Sequence, residues 1–192
     1  MIDANSFSKK WNIDWTKPGL GLGLGTVKWL RFHTLPNSKR YPDNDQELAT
    51  ILTRHHTLLN ELGAGKQPLL VVVSAWTNVP EPSPEPWDKY GRLDIDVSYW
   101  QSVLENPDET DPDFKSYRQL YVGSFPSQDE KLDALLRQVA NDKMSGAILT
   151  PEDFSWIYHP YDGGVDILLS SVEEREKLMG SHEDWLPVPP TP

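Results

Sequence analysis

Cysteine is absent from this chain. Its absence excludes disulfides, thiolate metal centres and a cysteine nucleophile, and it suits a reducing compartment. Long apolar runs are missing too. The longest, Leu69-Leu-Val-Val-Val73, falls far short of the ~20 residues that cross a bilayer. The first ten residues lack the apolar stretch of a signal peptide, so the cytoplasm is the expected location. Basic residues are scarce: 18 Lys and Arg stand against 29 Asp and Glu, a net charge of −11. Such a charge repels phosphate backbones and anionic headgroups, so neither nucleic acid nor membrane is an expected partner.

What is present reads as one α+β domain spanning residues 1–192, a length at which about 70% of the unfolded surface can be buried without staples. The pattern predicts a mixed, mostly antiparallel sheet with helices packed on it, a βαβ-type start, and a C-terminal β-hairpin followed by a helix. Residues 1–25 form an N-terminal segment and a glycine-rich connection. Phe7, Trp11 and Trp15 recur at four-residue spacing, which predicts an amphipathic helix that Pro18 ends. The alternating glycines of 19–25 precede a β-rich stretch and open no helix, so they do not form a dinucleotide-binding fingerprint.

A strand is expected over 26–33, a turn-rich loop over 35–42, and a helix from Asp43 or Asp45 to Leu62, stopped by Gly63. The continuously apolar 68–76 predicts a strand buried on both faces. The proline-dense 80–86 reads as an exposed extended loop. Residues 92–100 suit a strand, but a helix starting at Ser98 fits equally. A strand over 119–125 follows, then a helix opened by capping-box spacing at Ser127 and Glu130. Strands are expected over 146–149 and 154–158. The Asp162-Gly163-Gly164 turn, with glycine supplying positive φ, returns the chain as a strand over 165–169. A second capping box, Ser171 to Glu174, opens the last helix, and 187–192 form an extended proline-rich tail.

Two features carry the candidate site. No acid lies between Asp14 and Asp43, while Lys17, Lys28, Arg31, Lys39 and Arg40 do. From Glu152 to Asp184 the balance inverts. Either Arg31 or Arg40 pairs with Asp166 or a neighbour as scaffold, or the Arg/Lys/His edge takes an anionic group. The second feature is His159-Pro-Tyr-Asp-Gly-Gly-Val-Asp166, where a histidine, a tyrosine and two carboxylates surround one turn. Asp162 is explained by the turn itself. Asp166 is not, because Val165, Ile167 and Leu169 take the other face and leave a carboxylate in need of a partner. The candidate binding residues are therefore Arg31, His33, Lys39, Arg40, Tyr41, Trp76, His159, Tyr161, Asp162 and Asp166. No catalytic residue, metal site or cofactor is expected: His55 and His56 are neighbours on a helix and diverge by ~100°, and no nucleophile elbow occurs.

The stretch Trp29-Leu-Arg-Phe-His-Thr-Leu-Pro-Asn-Ser-Lys-Arg-Tyr-Pro42 resembles an early motif of the bacterial domain-of-unknown-function 3885 family. Trp156-Ile-Tyr-His-Pro-Tyr-Asp-Gly-Gly-Val-Asp-Ile-Leu-Leu169, followed by His182-Glu-Asp-Trp-Leu186, is similar to that family's C-terminal signature. The hairpin departs from the family's Tyr-Asp-Asp-Arg-Gly-x-Asp: it lacks the arginine and is one residue shorter, so a role needing that arginine does not carry over. The resemblance implies a compact bacterial cytoplasmic domain with no assigned activity. The functional expectation is a non-catalytic binding domain, of the immunity type, for a basic protein, its surface lying where 31–41 meets 158–166. The alternatives are an enzyme acting on an anionic, phosphorylated small molecule and a structural subunit of a homo-oligomer.

Overall fold

The computed structural model describes residues 4–16, 26–83, 95–126 and 130–187. Its element order is α1 (Ala4–Trp11), β1 (Trp29–His33), α2 (Asp45–Glu61), β2 (Leu69–Thr77), β3 (Val97–Leu104), β4 (Tyr117–Phe125), α3 (Glu130–Ala140), β5 (Ile148–Pro151), β6 (Ile157–Tyr161), β7 (Gly164–Leu168) and α4 (Val172–Ser181). The strands form one seven-stranded sheet in the order β1-β7-β6-β5-β2-β4-β3. Every pairing described is antiparallel. The strand-helix-strand start is present, but β1 and β2 are not neighbours. Three strands from the end of the chain fill the gap between them.

Alternation along each strand divides the sheet into two faces. Leu30, Phe32, Val71, Val73, Tyr158, Val165 and Ile167 share a core with leucines of α2 and α3 and with Leu178 of α4. The opposite face carries Leu70, Val72, Leu120, Ile148, Ile157 and Leu168, covered by Phe7 and Trp15. Burial on both faces is why β2 reads as an unbroken apolar run. No helix among the described residues is long and apolar enough to cross a membrane.

Local signals hold where chemistry is specific. Asn44 caps α2 by accepting from the Glu47 amide, and Gly63, at φ 76°, closes it in the left-handed region. Ser171 and Glu174 form the full capping box of α4. Segment 97–104 is a strand with a bulge between Tyr99 and Gln101. The serine of the earlier capping box, at 127, the glycines of 19–25, 84–86 of the proline-rich loop, 92–94 of the expected strand and 188–192 of the expected tail lie outside the described residues.

Other boundaries differ. The first helix stops at Trp11, well before Pro18, where Asn12 turns to φ 50°. Trp15 nevertheless reaches the core, with its indole donating to Ser8 Oγ at 2.8 Å. The strand expected from 154 starts at Ile157, because Phe154 at φ 52° closes a turn back to the Pro151 carbonyl. Neither hairpin glycine has positive φ. Gly164 is required for another reason: a Cβ there would stand 2.2 Å from the Phe32 carbonyl oxygen of β1.

Candidate functional site

Three rows of side chains cross β1, β7 and β6 on the face opposite α2 and α3. Register sets Trp29 beside Leu168 and Leu168 beside Ile157; Arg31 beside Asp166 and Asp166 beside His159; and His33 beside Gly164 and Gly164 beside Tyr161. The middle row is charged, and it joins the two segments that sequence patterning marks. They converge.

Asp166 is 1% exposed. Its Oδ1 accepts from the Trp29 indole at 2.9 Å and from Arg31 Nε at 2.8 Å, and its Oδ2 accepts from Arg31 Nη2 at 2.8 Å. A bidentate guanidinium and an indole thus satisfy a carboxylate that burial would otherwise penalise. The hydrogen bond to Asp166 raises the pKa of Arg31 above its ordinary value. The guanidinium lies 5.2 Å from the Trp29 ring centroid and 5.3 Å from that of Tyr161, within cation–π range of both. The bare Gly164 lets Tyr161 lie across it: a Cβ would come within 2.7 Å of the phenol oxygen. Burial pushes the Tyr161 phenol up to about 12.

His159 completes the row. Its Nδ1 is closed off from solvent and has no hydrogen-bond partner. Burial lowers its pKa to about 4; the Arg31 charge adds to this and Asp166 opposes it. The ring is neutral at neutral pH.

A second junction lies at the hairpin turn. Arg40 Nε meets Asp162 Oδ2 at 2.6 Å, and the Tyr41 phenol hydrogen-bonds the same carboxylate, which raises its pKa. The Thr34 amide donates to the Gly163 carbonyl at 3.3 Å, and the Arg40 stem packs over Gly163, whose missing Cβ would lie 3.3 Å from it. The loop after β1 is thereby stapled to the β6–β7 turn.

The remaining candidates separate from these. Lys39 turns to Asp43 and Glu47, each at 2.6 Å, and so joins the start of α2. Arg54 donates to the His33 carbonyl at 2.9 Å; the His33 ring sits at the edge of the third row. Trp76 is 49% exposed on β2, with three strands between it and Arg31, against Gly146. Sequence reasoning missed Trp29 as a partner of Asp166, although its position two residues before Arg31 puts both on one face. It also missed His55, whose Nδ1 lies 2.7 Å from the Tyr158 phenol. No periodicity marks a pair 103 residues apart.

The arrangement commits its charges internally. Both oxygens of Asp166 are occupied, and Arg31, Lys39 and Arg40 each face a carboxylate. Three cavities of about 500, 480 and 570 Å³ open elsewhere, and none of these is lined by Arg31, Arg40, His159 or Asp166. Among the described residues, no group of three or more metal-ligating side chains comes together.

A family model described as "Domain of unknown function (DUF3885)" matches residues 22–188. No curated protein and no solved structure matches the chain.

Proposed function

The chain belongs to the DUF3885 family, and we propose that it is a non-catalytic binding domain, bacterial and cytoplasmic, whose partner is a basic protein. One observation carries this reading. The cations that would clamp an anion are already neutralised: Arg31 by Asp166, Arg40 by Asp162, and Lys39 by Asp43 and Glu47. A phosphate must compete with carboxylates held beside these groups at high effective concentration. The acidic excess, by contrast, is exposed. On the loop joining β3 to β4, Phe114 is 69% exposed near Asp108, Asp111 and Asp113, an aromatic anchor within a field that speeds encounter with a basic surface. The junction of 31–41 with 158–166 is charge-balanced. It shapes the scaffold, and the acidic loop is the proposed docking face.

The test is co-purification from lysate at low and moderate salt, using the native chain and a D108K/D111K/D113K variant. A basic protein retained by the native chain and lost by the variant supports the reading. Recovery of no partner at either salt contradicts it, as does a partner that the variant keeps.

A second reading, an enzyme acting on a phosphorylated small molecule, is favoured by the unpartnered Nδ1 of neutral His159 beside Arg31. It requires phosphorylated metabolites at millimolar concentration to raise the melting temperature, since ligand bound to the native state stabilises it. No shift across such a panel removes it. Light scattering separates the third class, a subunit of a homo-oligomer.

A further inference from the structure

We propose that the cavity between the end of α2 and α4 binds a small primary amine with an apolar body. It measures about 500 Å³, within the size range of small-molecule sites. Its floor is Trp156, Leu169 and Leu178, exposed by 4%, 3% and 6%. The Trp156 indole N–H is spent on the Leu62 carbonyl at 2.9 Å, so the indole presents no unmet donor. Only the edges of these side chains, with Leu62 beside them, face the cavity, which leaves contact for one small apolar group.

The rim sets the charge of the head group. Glu61 comes from the last turn of α2, and Glu174 and Lys177 lie about one turn apart on α4. Each carboxylate is fixed through one oxygen. Glu61 Oε1 lies 2.8 Å from His182 Nε2, and Glu174 Oε2 accepts from the Ser171 amide at 3.2 Å. The other oxygen of each remains for a ligand. Two anions outweigh one cation, while the negative C-terminal end of α2 and the positive N-terminal end of α4 oppose each other. An ammonium gains charge-assisted hydrogen bonds there. A carboxylate of the same shape meets repulsion. This site shares no residue with the acidic loop or the Arg31–Asp166 row, so it stands independently of the proposed function.

The experiment compares three compounds with one body and different heads: 2-phenylethylamine, 2-phenylethanol and 3-phenylpropionate. Each is titrated into the full chain labelled with ¹⁵N and followed by NMR at the Trp156 indole and the backbone amides of Lys177 and Leu178. Saturable shifts with the amine, about tenfold weaker binding of the alcohol and no saturation by the carboxylate are expected. In E61Q/E174Q, glutamine retains the bonds to His182 and the cap, and the amine should fall to the level of the alcohol. K177Q, an exposed change, should instead tighten amine binding a few-fold. The proposal is overturned if the carboxylate binds as tightly as the amine, if no compound saturates, if the shifts map away from this cavity, or if K177Q weakens the amine.

Discussion

Arg31 with Asp166 and Arg40 with Asp162 tie the same stretch of chain to the same hairpin, yet water reaches them differently. The Asp166 side chain is 2% exposed and that of Arg31 37%; the Asp162 side chain is 11% exposed and that of Arg40 65%, so the difference lies mainly with the arginines. Asp166 has a bidentate partner and an indole donor in a packed row. Asp162 has a single guanidinium nitrogen and the Tyr41 phenol at a turn. Similar chemistry therefore does different work. The inner pair compensates a buried charge, whereas the outer pair is screened and guides the path of a loop.

The largest effect should follow Arg31→Ala. It leaves the Asp166 carboxylate buried with only the Trp29 indole, at a cost of about 3 kcal/mol, the low end for breaking a buried pair because Arg31 itself is partly solvated. The midpoint of urea unfolding measures it. Gly164→Ala comes next. Its methyl meets the Phe32 carbonyl and the Tyr161 phenol, and the forced shift of β7 against β1 should cost about 1–3 kcal/mol, read on the same axis. Arg40→Ala is the contrast: a fall in midpoint smaller than either is expected, because Arg40 is solvated and Asp162 keeps the Tyr41 phenol. If Arg40→Ala destabilises as much as Arg31→Ala, the distinction between the pairs fails.

Acid should act through two buried histidines. Burial depresses His55 to about 3 and His159 to about 4, below the ordinary 6.5. Both are neutral in the native state, so their contribution is complete above the unfolded pKa. It is lost as pH falls below ~6.5, because the unfolded chain takes up protons that the native state refuses. The loss continues to about pH 4 for His159 and about pH 3 for His55. Each histidine costs about 1.4 kcal/mol per pH unit through its window. Unfolding free energies measured from pH 7 to 4 should show this slope, and His159→Gln should remove one proton's share. An unchanged slope in that variant contradicts a neutral, buried His159.

Much of this was legible in the sequence because it is local. A capping serine three residues before a glutamate and an unbroken apolar run each declare their element through near neighbours, as at Ser171–Glu174 and β2. The need of Asp166 for a partner is legible from alternation alone, and the acid-free basic stretch offers Arg31 as one. The identity of the other neighbours is not. Trp29, Arg31 and Asp166 meet only because β7 pairs with β1 across 135 residues or more, and register across such a gap leaves no mark on spacing. The same reason hides the role of Gly164. Its sequence context suggests a positive-φ turn residue, but the demand comes from the backbone of a strand far away in the chain. Lys39 illustrates the converse. Three cations in one basic stretch suggest a common ligand, yet acids four and eight residues on claim this one.

The most direct test of the account is a double-mutant cycle on Arg31 and Asp166, using Arg31→Ala, Asp166→Ala and the pair, followed by urea denaturation. If the guanidinium is there to compensate the buried carboxylate, the pair should be clearly more stable than the sum of the single losses predicts, with a coupling of about 2 kcal/mol. Additive losses would mean that the two side chains do not depend on each other, and Arg31 would be free to serve a ligand.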